Sequence, residues 1–490
     1  CGPDSFSLHF YAYIMQGRPF AVIETDGHSG DAGTKTRVEA FLHCVHQDRL
    51  GARPAAPAND FQTIQGTRVH PADIRARGEV VLIPRLGPGA DVLAAALTGA
   101  GVPAESLPMP DRETVRIGRR HTSGKECVPM CLTLGSLLQR LDRERTTDTR
   151  FAFAMPRANG PCRFGVYNVL HKIVLEQQQW ADRVRVWSPV ESNYGDGFPG
   201  GIFPLCVIGW NAIDVLLQGL HDVRPVEATP GAALAVYAQY AGELVERTRQ
   251  EARRKPATRD ALLQVMTGRL FGIADILQRA GRAYAAVKME RALPAVAVVG
   301  EIYVRCDPFA NDFVIDKLEQ RGIRVRQAPF NEWLEYLHWC NRDAGRSGTL
   351  GSYLSTATLH RTQQLTYQAL ARHLGWHERS TVKQALAASA RYLRSDLYGE
   401  AVLTLGGAIH EWRQGTIDGV VNVGPLECMP SKLAETQFFH VAEREGLPAV
   451  TIPFNGDPLD PAVLDNFAFA VHSGFRQRRS AVAGAQAEGG

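Results

Sequence analysis

Cysteine is scarce in this chain, with nine in 490 residues, and the number is odd. That excludes a disulfide-stapled secreted scaffold and leaves free or metal-bound thiols. An excess of one charge is also missing. Lys and Arg number 54 against 51 Asp and Glu, a formal +3, so no electrostatic case exists for a nucleic-acid partner. No apolar run reaches 18 residues, so no membrane span is expected. Gly (46) and Pro (28) are near average, and 45% hydrophobic with 21% charged residues is ordinary globular composition. Collagen-like and disordered classes are excluded. The chain shows no apolar leader and no initiator Met; its opening, Cys1-Gly2-Pro3, reads as a processed product or a piece cut from a longer polypeptide. A cytoplasmic protein is expected. The H-E-x-x-H, G-x-x-x-x-G-K-[ST] and G-x-S-x-G patterns are absent.

What is present alternates. Short apolar runs at Val80–Pro84, Phe151–Met155 and Arg183–Trp187 read as strands, each followed by a turn or helix. A second series has strands at Ala295–Val304, Ile323–Gln327, Ile417–Val423 and Leu447–Pro453. Helices are predicted at Asp91–Gly99, from Tyr167, over Asn311–Arg321 and near Pro430. Long helical stretches fill 207–290 and 331–415. The pattern predicts an α/β chain: two Rossmann-like parallel-sheet domains with helical insertions and a cleft between them. The boundaries are 1–78, an N-terminal α/β piece and linker; 79–294; 295–475; and 476–490, a disordered tail. Within 1–78 a helix is expected at Ser5–Met15, a strand at Phe20–Glu24, a helix at Thr36–His46 and a linker over 51–78.

Three cysteines stand in turns rich in Gly or Pro: Cys127 in HTSGKECVP, Cys162 in NGPCRFG and Cys428 in GPLECMP. The second and third follow a predicted strand and precede a predicted helix. Such loops gather at the C-terminal edge of a parallel sheet, where ligands bind. Helix N-termini there favour thiolates and anionic clusters. Thiolates facing one cleft suit an iron–sulfur cluster, and three ligands would leave one iron open to substrate. Cys1, also before Gly-Pro, is a fourth candidate. Cys44, Cys206 and Cys340 lie in apolar or helical runs and read as small buried hydrophobes. Cys306 reads as the end of a strand, and Cys131 as one helical turn beyond Cys127. His121, Thr122, Ser123 and Lys125 could bond to cluster sulfides. Glu427 reads as a surface charge. The loops Glu24–Gly33, Arg305–Asp312 and Asn455–Pro461 read first as turns or caps, with ligand contact as the alternative. Three other readings stay open: a closed electron-transfer cluster, core cysteines without metal, and an N-terminal-nucleophile hydrolase using Cys1.

The strings CGPDSF, PFAVIETDGHSGDAGTKTRVEAFL, RRHTSGKEC, GPCRFG, GEIYVRCDPFANDFV, GPLECMPSKLAETQ and FNGDPLD resemble the C-terminal, dehydratase-like region of acyl-CoA dehydratase activase-related proteins. In that fusion family an ATPase activator precedes a region similar to 2-hydroxyacyl-CoA dehydratase subunits. The resemblance covers nearly all of 1–475. It implies an anaerobic, oxygen-sensitive [4Fe-4S] protein, or a double-cubane [8Fe-9S] one acting as a reductase of small molecules. It further implies a low-potential electron from an ATP-hydrolysing activator, fused upstream in the full-length chain. That electron would reduce or dehydrate an acyl-CoA-type substrate through a ketyl radical, as a lyase or ATP-dependent reductase. Cys127, Cys162, Cys428 and Cys1 match the family's cysteine positions and take the ligand role by resemblance. A double cubane would bring in Cys131 and Cys306. Nucleic acid and membrane are not implied as partners; a homodimer is left open.

Overall fold

The computed structural model describes residues 4–23, 31–51, 69–158, 162–190, 196–343, 345, 350–426 and 428–488. Its frame is two four-stranded sheets. The first joins β1 (Val80–Ile83), β2 (Ala104–Ser106), β3 (Phe151–Ala154) and β4 (Val184–Trp187) in the order β2-β1-β3-β4. The second joins β5 (Ala295–Gly300), β6 (Arg324–Gln327), β7 (Gly419–Pro425) and β8 (Ala449–Phe454) in the order β6-β5-β7-β8. Every pairing is parallel. The two Rossmann-like domains are thus observed. Both share one topology, in which strand order reverses between the first and third strands. Such switch points open crevices at the C-terminal edge.

Strand sequence explains the layers. All four residues of β3 and all six of β5 are buried, as fits sheets covered on both faces. Alternate residues serve opposite sides. Val81, Ile83, Ala152 and Ala154 pack with the helix Gly89–Gly99. Leu82, Phe151 and Phe153 pack with the helices Val128–Asp142 and Tyr167–Gln177. In the second sheet, Val296, Val298, Val421 and Val423 meet Val115, Val128 and Leu132 of the first domain. That apolar contact seats the two sheets against each other.

The helices Ile202–Val223, Ala232–Arg253, Thr258–Met266 and Ile273–Val287 form a separate core, which also takes Ala369, Leu370 and Leu374 from the helix Leu350–Leu374 of the second domain. Among the described residues, the one helix long and apolar enough to cross a membrane starts at Ile202. Its apolar window is 72% buried in this core.

Several elements differ from expectation. The strand predicted to run to Val304 stops at Gly300, whose φ of 119° turns the chain; Glu301 then caps a short helix, Ile302–Cys306. Cys306 therefore ends a helix, not a strand. No strand forms at residues 20–23, and Glu24 lies outside the described residues. Of the expected 51–78 linker, 52–68 lies outside the description, while Pro71–Ala76 is helical. Helix Pro461–Glu488 continues through the segment from 476, expected as a disordered tail, and Arg478 pairs with Asp418. Strand β2 and the helix Arg112–Arg119 were not anticipated.

Candidate functional site

Cys127, Cys162 and Cys428 each stand at the residue immediately before a helical turn. Cys127 precedes Val128–Asp142, Cys162 precedes the 3₁₀ turn Arg163–Val166 that leads into Tyr167–Gln177, and Cys428 precedes Met429–Glu445. Their backbones are extended, with ψ of 142°, 134° and 116°. Pro129 and Pro430 sit in the first turns, where a missing N–H costs nothing. Cys162 follows β3 and Cys428 follows β7, so the two domains contribute from facing C-terminal edges.

The three sulfurs sense one another and share neighbours. Burial raises each thiol, Cys162 to about 12, and charge on Cys127 pushes Cys162 and Cys428 further up. Glu301 acts on all three, and Glu400 on Cys162 and Cys428. Opposing them, the Phe164 and Ser431 amides favour thiolates at Cys162 and Cys428. Buried Arg163 lies 3.8 Å from the Cys127 sulfur through Nη1, which also donates to the Lys125 carbonyl at 2.8 Å. The Tyr167 hydroxyl bonds to the same sulfur. Cys428 is buried and Cys127 half-buried; the Cys162 residue reaches solvent at its outer side while enough protein surrounds its sulfur to raise the thiol.

Two carboxyls complete the surroundings. Glu301 accepts from the Tyr303 and Val304 amides at 3.1 and 2.8 Å. Glu400 accepts from the Ile302 amide, so both acids use one helix start. Burial and then the Glu301 charge raise Glu400 to about 8; burial also raises Glu301. Burial and the Glu301 charge thus favour the protonated form of Glu400 beside the thiols.

A further acid fixes the Cys127 loop. Glu126 accepts from the Ser123 amide at 2.9 Å, the Gly124 amide at 3.1 Å and the Ser123 hydroxyl at 2.9 Å. It also bonds His9 Nε2 at 2.6 Å. Burial opposes its charge, but these donors outweigh burial and hold it at about 2. His9 belongs to the helix Asp4–Met15, whose Phe6 stacks on Tyr167 at 6.0 Å and whose Tyr13 donates to Glu176 at 2.8 Å. The N-terminal helix is thus pinned against the thiol site at two places.

The structure brings together Cys127, Cys162 and Cys428. Cys1 lies outside the described residues, as do Glu427 and residues 24–30 of the loop before the helix Asp31–Leu50. Cys131 is set apart: buried in the inter-domain contact, its thiol donates to the Val115 carbonyl at 3.5 Å. Cys306 packs beside Arg305 and Gly87. Cys206 and Cys340 are half-buried, but Cys44 is exposed on the helix Asp31–Leu50, not buried as expected, because that helix turns most of its surface outward. Ser123 serves Glu126 rather than a sulfur. Asp307, Asn311 and Asp312 tie turns: Asp307 accepts from the Ala310 amide and Asp312 from that of Leu459. The Asn455 carbonyl receives Arg119 at 2.6 Å across the domains. Glu301, Glu400, Glu126, Arg163 and Tyr167 were not singled out from sequence. A signal existed for two of them: Gly300-Glu301 and Gly399-Glu400 each set an acid after a glycine of positive φ, 119° and 146°.

Among the described residues no three His, Cys, Asp or Glu side chains are spaced to hold a single metal ion. A polynuclear cluster spreads its thiolates over several irons and asks for wider spacing. No protein family matches this chain, and no curated protein is similar to it.

Proposed function

We propose that this chain is an iron–sulfur module of the 2-hydroxyacyl-CoA dehydratase type, working in the cytoplasm with an ATP-hydrolysing activator. It would reduce or dehydrate an acyl-CoA-type substrate. The single observation that supports this reading is the convergence of three cysteines, far apart in sequence, at helix starts on the facing edges of two parallel-sheet domains. The donor set fits such a cluster. Soft thiolates select iron–sulfur centres. The starts of the helices Val128–Asp142 and Met429–Glu445 offer partial positive charge to an anionic cluster. Buried thiols that stay protonated alone lose their protons only to a strongly bound metal.

Cys127, Cys162 and Cys428 would hold the cluster, with Cys1 the candidate for a fourth position. Bound there, a cluster with an iron free of cysteine would supply a low-potential electron and a Lewis-acidic site. The chain's own residues do the rest. Arg163 and Tyr167 fix the Cys127 sulfur and offset its charge. Glu400, whose protonated form its burial favours, would offer a proton to an oxygen leaving a substrate, while Glu301 orders the helix start beneath it. The exposed side at Cys162 admits substrate or partner.

Anaerobic purification with iron and acid-labile sulfide determination tests this. About four of each per chain fits a [4Fe-4S] site, and about eight irons the double-cubane form. Cys127→Ala, Cys162→Ala and Cys428→Ala should each strip most of the iron, and Cys44→Ala and Cys340→Ala none. Full retention in the three loop variants overturns the assignment.

A further inference from the structure

The second sheet carries a pair of cavities remote from the thiols. The outer one, of about 570 Å³, lies at the N-terminal ends of its strands, against Ala295, Arg324 and Asp418. The inner one, of about 460 Å³, runs beside Ala297 and Val299 of β5 to Glu332. Arg326, Tyr367, Trp376 and Arg379 line both, so the two adjoin across a shared wall. Together they follow β5 from Ala295 to Val299, about 13 Å at roughly 3.3 Å per residue. Each volume falls in the range of small-molecule sites.

Basic groups gather at the outer cavity. The outer cavity is lined by five arginines, 324, 326, 379, 478 and 479, against two acids, Asp222 and Asp418. Three arginines are paired: Arg324 with Asp222, Arg326 with Glu411 and Arg478 with Asp418. Arg379 feels the charge of the buried Asp214, and neither it nor Arg479 makes a close ion pair among the described residues. Arg379 spends one nitrogen on the Gln327 carbonyl at 2.7 Å and lies over the Tyr367 ring; Arg479 lies over Phe475. The Arg324 Nε is buried without a partner. The inner cavity mixes both signs: Glu332 pairs with Arg305 at 2.9 Å, Glu335 lies 3.6 Å from His360, and Arg372 also lines it. At the shared wall two aromatic rings are held in place. Tyr367 donates to the His377 carbonyl at 2.7 Å, Trp376 donates to Asp222 at 3.0 Å, and their centroids are 5.5 Å apart.

We infer that the outer cavity binds a polyphosphorylated aromatic ligand of the nucleotide class, with its phosphates on Arg379 and Arg479 and its ring against Trp376 or Tyr367. The inner cavity takes an uncharged extension of that ligand. Unpaired guanidinium groups read phosphates by charge and by fork geometry. Neither the Walker-type loop nor iron is needed for this binding, so it stands apart from the proposed cluster chemistry.

The test is titration of the full chain with ADP, coenzyme A, adenosine and pyrophosphate, read by quenching of tryptophan fluorescence and by calorimetry. ADP should bind saturably and at least tenfold more tightly than adenosine, and affinity should fall with added salt. Coenzyme A, which carries an extension, should bind more tightly than ADP. Arg479→Gln and Arg379→Gln should each weaken ADP at least tenfold. Arg479 is exposed on its helix, so its variant folds even if the other does not. Absence of saturable binding by any nucleotide, adenosine equal to ADP, or an unchanged Arg479→Gln affinity overturns the inference. Nucleotide affinity should be the same in Cys127→Ala, which separates failure here from failure of the cluster assignment.

Discussion

Glu126→Gln is the substitution through which the architecture of the site is most directly weighed. The glutamate receives four hydrogen bonds from Ser123, Gly124 and His9, and its side chain is 1% exposed. Its pKa falls from 4.5 to about 2 on folding. That drop, at 1.36 kcal/mol for each tenfold in proton affinity, is about 3 kcal/mol of local stabilisation at neutral pH. Glutamine keeps the shape and removes the charge that earns those bonds. The open population of the 120–127 loop should then rise about a hundredfold. Amide hydrogen exchange of the 123–127 segment reads this, together with alkylation of Cys127 mapped by mass spectrometry. The sign with pH is fixed. Folding lowers this pKa, so the stabilisation is complete above 4.5 and is lost as pH falls toward 2. The exchange difference between variant and wild type should therefore be large at pH 7 and small near pH 2.5. A change of less than threefold at pH 7, or a difference that does not shrink in acid, would refute the account of how this loop is held.

Three other outcomes follow from the packing. Gly300→Ala should leave little folded protein in a solubility and circular-dichroism assay, because a Cβ there meets the Val423 carbonyl at 1.9 Å and φ is 119°. Gly242→Ala, on an open face of the helix Ala232–Arg253, should instead raise the unfolding midpoint by the equivalent of about 0.5–1 kcal/mol. His171 and His221 are buried, and burial lowers them to about 4 and about 3. The unfolded chain binds more protons below 6.5, so denaturant titrations should show stability falling from pH 6.5 toward 4, by roughly 3 kcal/mol for His171 alone. His171→Leu should flatten that slope, and an unchanged slope would discount the histidine.

The strands were legible because both sheets are covered on each side, which leaves runs such as FAFA and AVAVVG unbroken. The short edge strand β2, AES, carries no such run and escaped notice. The three loop cysteines were legible from glycine and proline around them. Their carboxylate neighbours were not, because Glu301 follows an apolar run that reads as continuing strand, and a helix of five residues has no period to reveal it. Glu400 reaches Cys162 across 238 residues of sequence and Glu301 across 99, and such an approach is a tertiary fact. The burial of Cys131 in the inter-domain contact was hidden for the same reason: its helix looks like any amphipathic segment until Val304 and Val115 close over it.

The helical core that takes Leu370 and Leu374 from the far domain has a bearing on how this polypeptide can be handled. Cutting between the sheets near residue 294 leaves Leu216, Ile276 and Tyr284 on one fragment without the leucines that cover them on the other. Two halves made separately should each expose a sticky hydrocarbon surface, whereas halves produced together in one cell should find each other and reassemble. Gene fission at this seam is therefore tolerable only with synchronised expression.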